Sequence, residues 1–196
     1  MNGAVMGEIG STICGPRVAL RSPTAQDHNY LLELARSDPS FLWTLSLSHA
    51  VDLSDLGAFL REQLDNRIIE LRVGQSPIGY VAADYRSPPA AATVRIGTFV
   101  QADYQSTSVG IEAAAIFISY LFEARQVRRI EGIMLDDGLA RIQSGLGRYF
   151  TLDATFREAA FVLGNFTDVH ILSISREEWH ERGSGFTAWL LRQGGF

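Results

Sequence analysis

Polar and apolar positions along the chain divide it into short strand-like blocks and four helical stretches. Arg17–Ser22 mixes charged and apolar residues and stops at Pro23, which predicts a first strand. Thr24 stands three residues before Asp27 and just ahead of the leucine-rich segment Tyr30–Arg36. An N-cap followed by an acidic first turn predicts a helix there. From Asp52 to Asn66, the residues Leu53, Leu56, Phe59, Leu60 and Leu64 keep the spacing of one helix face. Three strands are expected next, at Ile68–Val73, Ile78–Tyr85 and Ala92–Val100, separated by the turn Gly74–Pro77 and the loop at Pro88-Pro89. Val109–Arg125 predicts the longest helix, Arg129–Leu135 a strand and Gly138–Leu146 a short helix. Thr155–Leu163 and Phe166–Ile174 predict a closing hairpin across Gly164-Asn165. Residues 1–16 lack periodicity and read as a flexible lead-in, residues 17–180 as one domain, and residues 181–196 as a tail with a helical turn near Trp189. Strand, two helices, three strands, helix, strand, helix and two strands make an α/β domain with a mixed sheet and one strand–helix–strand crossover.

Composition narrows the function classes. The 196 residues suit a single domain, and 46% hydrophobic with 20% charged residues is ordinary for a globular chain. No apolar run approaches the roughly 20 residues that cross a bilayer, and Ala113–Phe122 is interrupted by Ser119 and Tyr120. The start of the chain lacks a basic segment followed by an apolar one, and the single Cys14 fits a reducing compartment, so a cytoplasmic location and no membrane partner are expected. A net charge of −5 argues against nucleic acid as a partner. His28, His49, His170 and His180 have no metal-ligand spacing, so no metal is expected. All 17 basic residues are arginine.

The stretch that carries chemistry is Thr98–Ala113, where a strand ends in small polar residues and a long helix begins. The first backbone N–H groups of a helix have no intrahelical partner, and with the helix dipole they form an anion site. Ser106, Thr107, Ser108 and Gly110 are small enough for phosphates to approach that backbone closely.

Gln105-Ser-Thr-Ser108-Val-Gly110 resembles the acyl-CoA signature of the GNAT (Gcn5-related N-acyltransferase) family, in which Gln or Arg is followed by two residues, Gly, one residue, and Gly or Ala. Gly110-Ile-Glu-Ala-Ala leading to Tyr120-Leu-Phe122, and Arg128–Gly132, resemble the helix and strand that follow it in the family. Val18–Arg21, Pro23-Thr24, Asp27 and Asn165–Trp179 resemble the branch that contains the ribosomal-protein N-terminal acetyltransferases. The resemblance runs from about Arg17 to Trp179. It implies a mixed, mostly antiparallel sheet flanked by helices, with an acyl-CoA donor held by Phe99, Val100, Gln105, Ser106, Thr107, Ser108, Val109, Gly110 and Asp137. The donor is expected to be acetyl-CoA or another acyl-CoA, and the acceptor a primary amine of a small molecule or a protein N-terminus. Ser108 stands where the family has a glycine, and Asp136-Asp137 where it often has an asparagine. The family's tyrosine acid falls at Ser144 or Gly145, with Tyr149 close by, and the catalytic candidates are Ser144, Tyr149 and His170. Phe41, Trp43 and His49 lie where the family builds its acceptor site, as does the strand end Asp84-Tyr85. A carrier-protein-bound donor and a non-catalytic binding domain remain as alternatives, and monomer and homodimer are both open.

Overall fold

The computed structural model describes residues 12–38, 41, 65–85 and 92–193 of the chain. Among these residues, eight strands form one sheet, in the order β1-β2-β3-β4-β5-β6-β8-β7. They are β1 (Ile13–Cys14), β2 (Val18–Arg21), β3 (Asp65–Leu71), β4 (Pro77–Asp84), β5 (Thr93–Val100), β6 (Arg129–Leu135), β7 (Thr151–Val162) and β8 (Asn165–Ser175). The β5–β6 pair is parallel and every other pair is antiparallel. The helices are α1 (His28–Ser37), α2 (Ala102–Gln105), α3 (Val109–Ala124), α4 (Asp136–Ile142) and α5 (Arg176–Gln193). Helix α3 is the crossover that a parallel pair requires.

Alternation along the strands sends neighbouring side chains to opposite faces. Ile69, Val81 and Val94 pack under α3 with Phe117 and Leu121, while Ile68, Tyr80 and Phe99 pack with Leu31, Leu34 and Phe41 on the α1 side. The turn before α1 is held as its sequence implies. Thr24 and Asp27 form a capping box, and Arg21 donates two hydrogen bonds to the Asp27 carboxylate at 2.6 and 2.7 Å.

Several boundaries differ from the sequence-based expectation, β7 beginning four residues early at Thr151. Ile13-Cys14, read as part of a flexible lead-in, pair with Leu20 and Ala19 as an edge strand. Residues 52–64 of the expected second helix lie outside the described residues, but its last two, Asp65 and Asn66, open β3. Helix α4 starts two residues early, at Asp136, and gives way after Ile142 to a 3-10 turn at Gln143–Gly145. The hairpin turns at Leu163-Gly164, both with positive φ (51° and 85°), so Asn165 already belongs to β8. Positive φ at both central residues is what a type I′ hairpin turn demands.

The largest difference is at the C-terminal end, where the expected tail is the 18-residue helix α5. Its start is a second capping box, with Glu178 N–H donating to Ser175 Oγ at 3.1 Å and Ser175 N–H donating to Glu178 Oε2 at 2.8 Å. Trp179 and Phe186 anchor it in the core beside α3.

Candidate active-site cleft

Strands β5 and β6 are paired only from Thr93↔Arg129 to Ile96↔Gly132. Beyond that point β5 runs on to Val100 and β6 to Leu135 without a ladder between them. The sheet therefore opens into a V in its middle. β6 lies between two strands, yet Ile130 is the one buried residue of its seven. A central strand is normally covered, and its exposure marks the cleft. The cleft has a volume of about 940 Å³ and is walled by Gly97–Val100 of β5, Ile133–Leu135 of β6, the turn before α3, the start of α4 and the tip of the β7–β8 hairpin.

The turn Ser106–Ser108 sits at the cleft's mouth. Ser108 is the N-cap of α3 but makes no capping bond, because its Oγ accepts from Arg17 Nη1 at 2.8 Å. The first intrahelical bond is Glu112 N–H to Ser108 C=O. The N–H groups of Ser108, Gly110 and Ile111 therefore have no intrahelical acceptor, and that of Val109 reaches Thr107 Oγ1 at a long 3.4 Å. This is a ready anion site on a sixteen-residue helix. Glu112 fixes the helix start to β2. Its buried carboxylate accepts from the Arg17 and Val18 N–H groups and from Arg17 Nε at 2.7 Å.

Of the expected donor-binding residues, Phe99, Val100, Gln105, Ser106, Thr107, Ser108, Gly110 and Asp137 line the cleft. Val109 points its side chain into the core instead. The Gln105 amide donates to Val100 C=O at 3.2 Å and to Asp38 Oδ2 at 3.3 Å, which braces the turn. A Cβ on Gly110 would lie 3.4 Å from Val100 Cγ2, an ordinary van der Waals contact, so packing against β5 would accept an alanine there. Asp38, Asp136 and Asp137 give the wall an acidic side, and Arg141 is the one cation among the described residues that line it.

The catalytic candidates do not meet in the cleft. The side chain of Ser144 lies outside the described residues, as do Trp43 and His49. Tyr149 is 7% exposed and packs on Phe186 with ring centroids 4.6 Å apart, and its hydroxyl has no hydrogen-bond partner. His170 is 6% exposed, with both ring nitrogens engaged: Nε2 with Asp136 Oδ1 at 2.8 Å and Nδ1 with Thr155 Oγ1 at 3.0 Å. A carboxylate accepts only, so Nε2 carries the proton given to Asp136, and in the neutral ring Nδ1 accepts from Thr155. Asp136 also accepts from the Thr167 hydroxyl and the Asp168 N–H. Hydrogen bonds from His170 first, then Thr167 and Asp168, hold its carboxyl below the ordinary aspartate range. The Asp136–His170–Thr155 chain ties α4 to β8 and β7, steadying two walls of the cleft. Phe41 is fully buried against Tyr80 and Phe99, and the Tyr85 hydroxyl donates to Asp65.

Sequence reasoning missed Gly132, Asp38 and the hairpin tip as cleft residues. Each arrives from a different element, and strand divergence leaves no local pattern.

No family model matches the chain, and no curated protein matches it. Solved structures do. A GCN5-related N-acetyltransferase from Brucella melitensis superposes with a TM-score of 0.66 at 20% identity, covering 93% of this chain and 86% of that one. A GNAT-family acetyltransferase from Bacillus anthracis gives 0.65 at 17% identity over 85% of this chain and 99% of that one. A spermidine N-acetyltransferase chimera from Vibrio cholerae and hSSAT gives 0.65 at 13% identity, over 84% and 99%. The fold is that of the GNAT acetyltransferases.

Proposed function

We propose that the chain is an acyl-CoA-dependent N-acyltransferase that acts on a primary amine of a small molecule or of a protein N-terminus, with acetyl-CoA as the reference donor. The observation that carries this reading is the V between β5 and β6 with an uncapped helix N-terminus at its mouth. The diphosphate of CoA would accept hydrogen bonds from the N–H groups at the start of α3, and Arg141 lines the same cleft. The pantetheine arm would enter the V along the edge of β5 that lost its ladder partner. A backbone N–H of that edge would donate to the thioester oxygen as charge develops there.

The neutral amine attacks the thioester carbon, the C–S bond breaks, and the sulfur leaves as thiolate. The nitrogen's extra proton passes to water, and water protonates the thiolate. Alignment of the two reactants supplies most of the acceleration, on the order of 7–11 kcal/mol in favourable systems. The net charge of −5 suits a cationic acceptor. A polyamine belongs in the acceptor panel because one fold relative is a spermidine N-acetyltransferase, and a peptide with a free N-terminus belongs there because of the sequence resemblance noted above.

The test is direct. Acetyl-CoA should raise the melting temperature, and incubation with the panel should yield an acylated amine by mass spectrometry. Absence of any shift with CoA thioesters would remove the reading. The acidic wall of Asp38, Asp136 and Asp137 favours a second, separate reading with a variant donor, a pantetheine thioester without the nucleotide. That variant gains if acetyl-pantetheine binds and acetyl-CoA does not.

A further inference from the structure

The apex of the V lies at the Ile96↔Gly132 pair, the last one before the strands part. Gly132 shares its face with Ile130, two residues away, and Ile130 belongs to the core under α3. A Cβ built on Gly132 meets no heavy atom within 4 Å. Gly132 is itself only partly buried, so the space beside it is open rather than sealed in the interior. The space belongs to the cleft. Apolar side chains that line it include Ile118, Ile130 and Leu172, each 2% exposed, with Phe186 at 4% and Ala115 at 3%, and Leu172 is the register partner of Gly132. These five side chains carry no hydrogen-bonding group, so nothing in them would hold a water molecule.

We propose that this space is an acyl chamber for a donor whose acyl group is an uncharged alkyl chain longer than acetyl, and that Gly132 keeps it open. The inference rests on the thioester reading above. A thioester whose diphosphate sits at the start of α3 reaches down the V with its acyl end towards the apex. The methyl of an acetyl group would leave the chamber unfilled, whereas added methylenes would be buried against the five apolar walls. Burial of one methylene strengthens binding roughly fourfold. The apolar walls exclude a dicarboxylic acyl group, whose free carboxylate would lose its water without gaining a partner.

The experiment is calorimetric titration of the full chain with acetyl-, butyryl-, hexanoyl- and succinyl-CoA, followed by Gly132→Ala and Gly132→Leu. In the wild type, butyryl-CoA should bind roughly fifteenfold tighter than acetyl-CoA, as two added methylenes imply, and succinyl-CoA should lose that gain. Gly132→Ala should reduce the butyryl-to-acetyl ratio and Gly132→Leu should abolish it. If Gly132→Leu does not fold, the wild-type ranking and the alanine variant still decide. Acetyl-CoA binding as tightly as butyryl-CoA, or a preference that survives Gly132→Leu, overturns the chamber and leaves the thioester reading standing. Failure of every CoA thioester to bind overturns both.

Discussion

Tyr149 carries the kind of phenol that could protonate a leaving thiolate, but its surroundings give it no route to one. The ring is wedged against Phe186, and the hydroxyl is buried without a hydrogen-bond partner. Such a group is a net cost to the fold. Tyr149→Phe should therefore keep at least a tenth of wild-type turnover, within roughly 1.4 kcal/mol of barrier height. Its melting temperature should be equal to or above that of the wild type, and a thousandfold loss of turnover would identify Tyr149 as the acid after all. Asp27 is the opposite case, a buried charge with every need met. Hydrogen bonds from Arg21 and from the Thr24 N–H and hydroxyl outweigh its burial and lower its carboxyl pKa to about 2. The folded-state value lies below the unfolded one, so the stabilisation is complete above the ordinary carboxylate range and is lost as pH falls towards 2. Asp27→Asn should cost about 2 kcal/mol at neutral pH. Denaturant titrations of the two proteins should converge as pH falls from about 4 to 2, and a gap independent of pH would show that the charge is irrelevant.

At the scale of elements, strands and helices whose signal is local were legible and those fixed from a distance were not. β6 runs over the expected Arg129–Leu135, and α3 ends one residue short of expectation, at Ala124. Their apolar runs lie between breaks that the chain itself encodes. Helix α5, which contains Gly183 and Gly185, was read as a tail, although Ser175-x-x-Glu178 was a capping box in plain view. Packing explains the glycine: a Cβ on Gly183 would lie 2.9 Å from the Trp179 ring, so the helix needs glycine there. The start of β3 was assigned to a helix because the groups that satisfy Asp65 are far along the chain. Its buried carboxylate accepts from Arg125 Nε and Nη2, both at 2.8 Å, and from the hydroxyls of Tyr85 and Tyr120. Burial alone would raise its pKa, but Arg125 and the two tyrosines hold it below the ordinary value. Arg125→Leu strands that charge and should cost about 3–5 kcal/mol. Chemical denaturation measures this, and a loss below about 1 kcal/mol would mean that the hydroxyls suffice. The candidate cleft was legible in the sequence along one turn, Gln105–Gly110, and illegible where its walls depend on how far β5 and β6 diverge.

At the scale of the whole molecule, the V makes the protein two half-sheets joined across four residue pairs, with β1–β5 on one side and β6–β8 on the other. Helices α3 and α5 pack on each other and help to bridge them. A donor in the V would contact both halves, receiving N–H groups at the start of α3 and lying between Gly97–Val100 and Ile133–Leu135. Binding to the folded state alone adds stability by mass action, about 2.7 kcal/mol at a hundred times Kd. For a chain of this size that corresponds to a rise in melting temperature of roughly 5–10 °C. Hydrogen exchange should then slow at Ser108, Gly110 and Ile111, whose N–H groups lack an intrahelical acceptor, and along the unpaired edges of β5 and β6. The outer pair β7–β8, laddered over Thr151–Phe156 and Ala160–Val162 with a register shift within and between those stretches, should change little away from the tip that lines the cleft. A melting shift without protection at the start of α3 would mean that the thioester binds elsewhere. Protection spread evenly over all eight strands would mean that the ligand stiffens the fold in general, and the V would lose its claim to be the site.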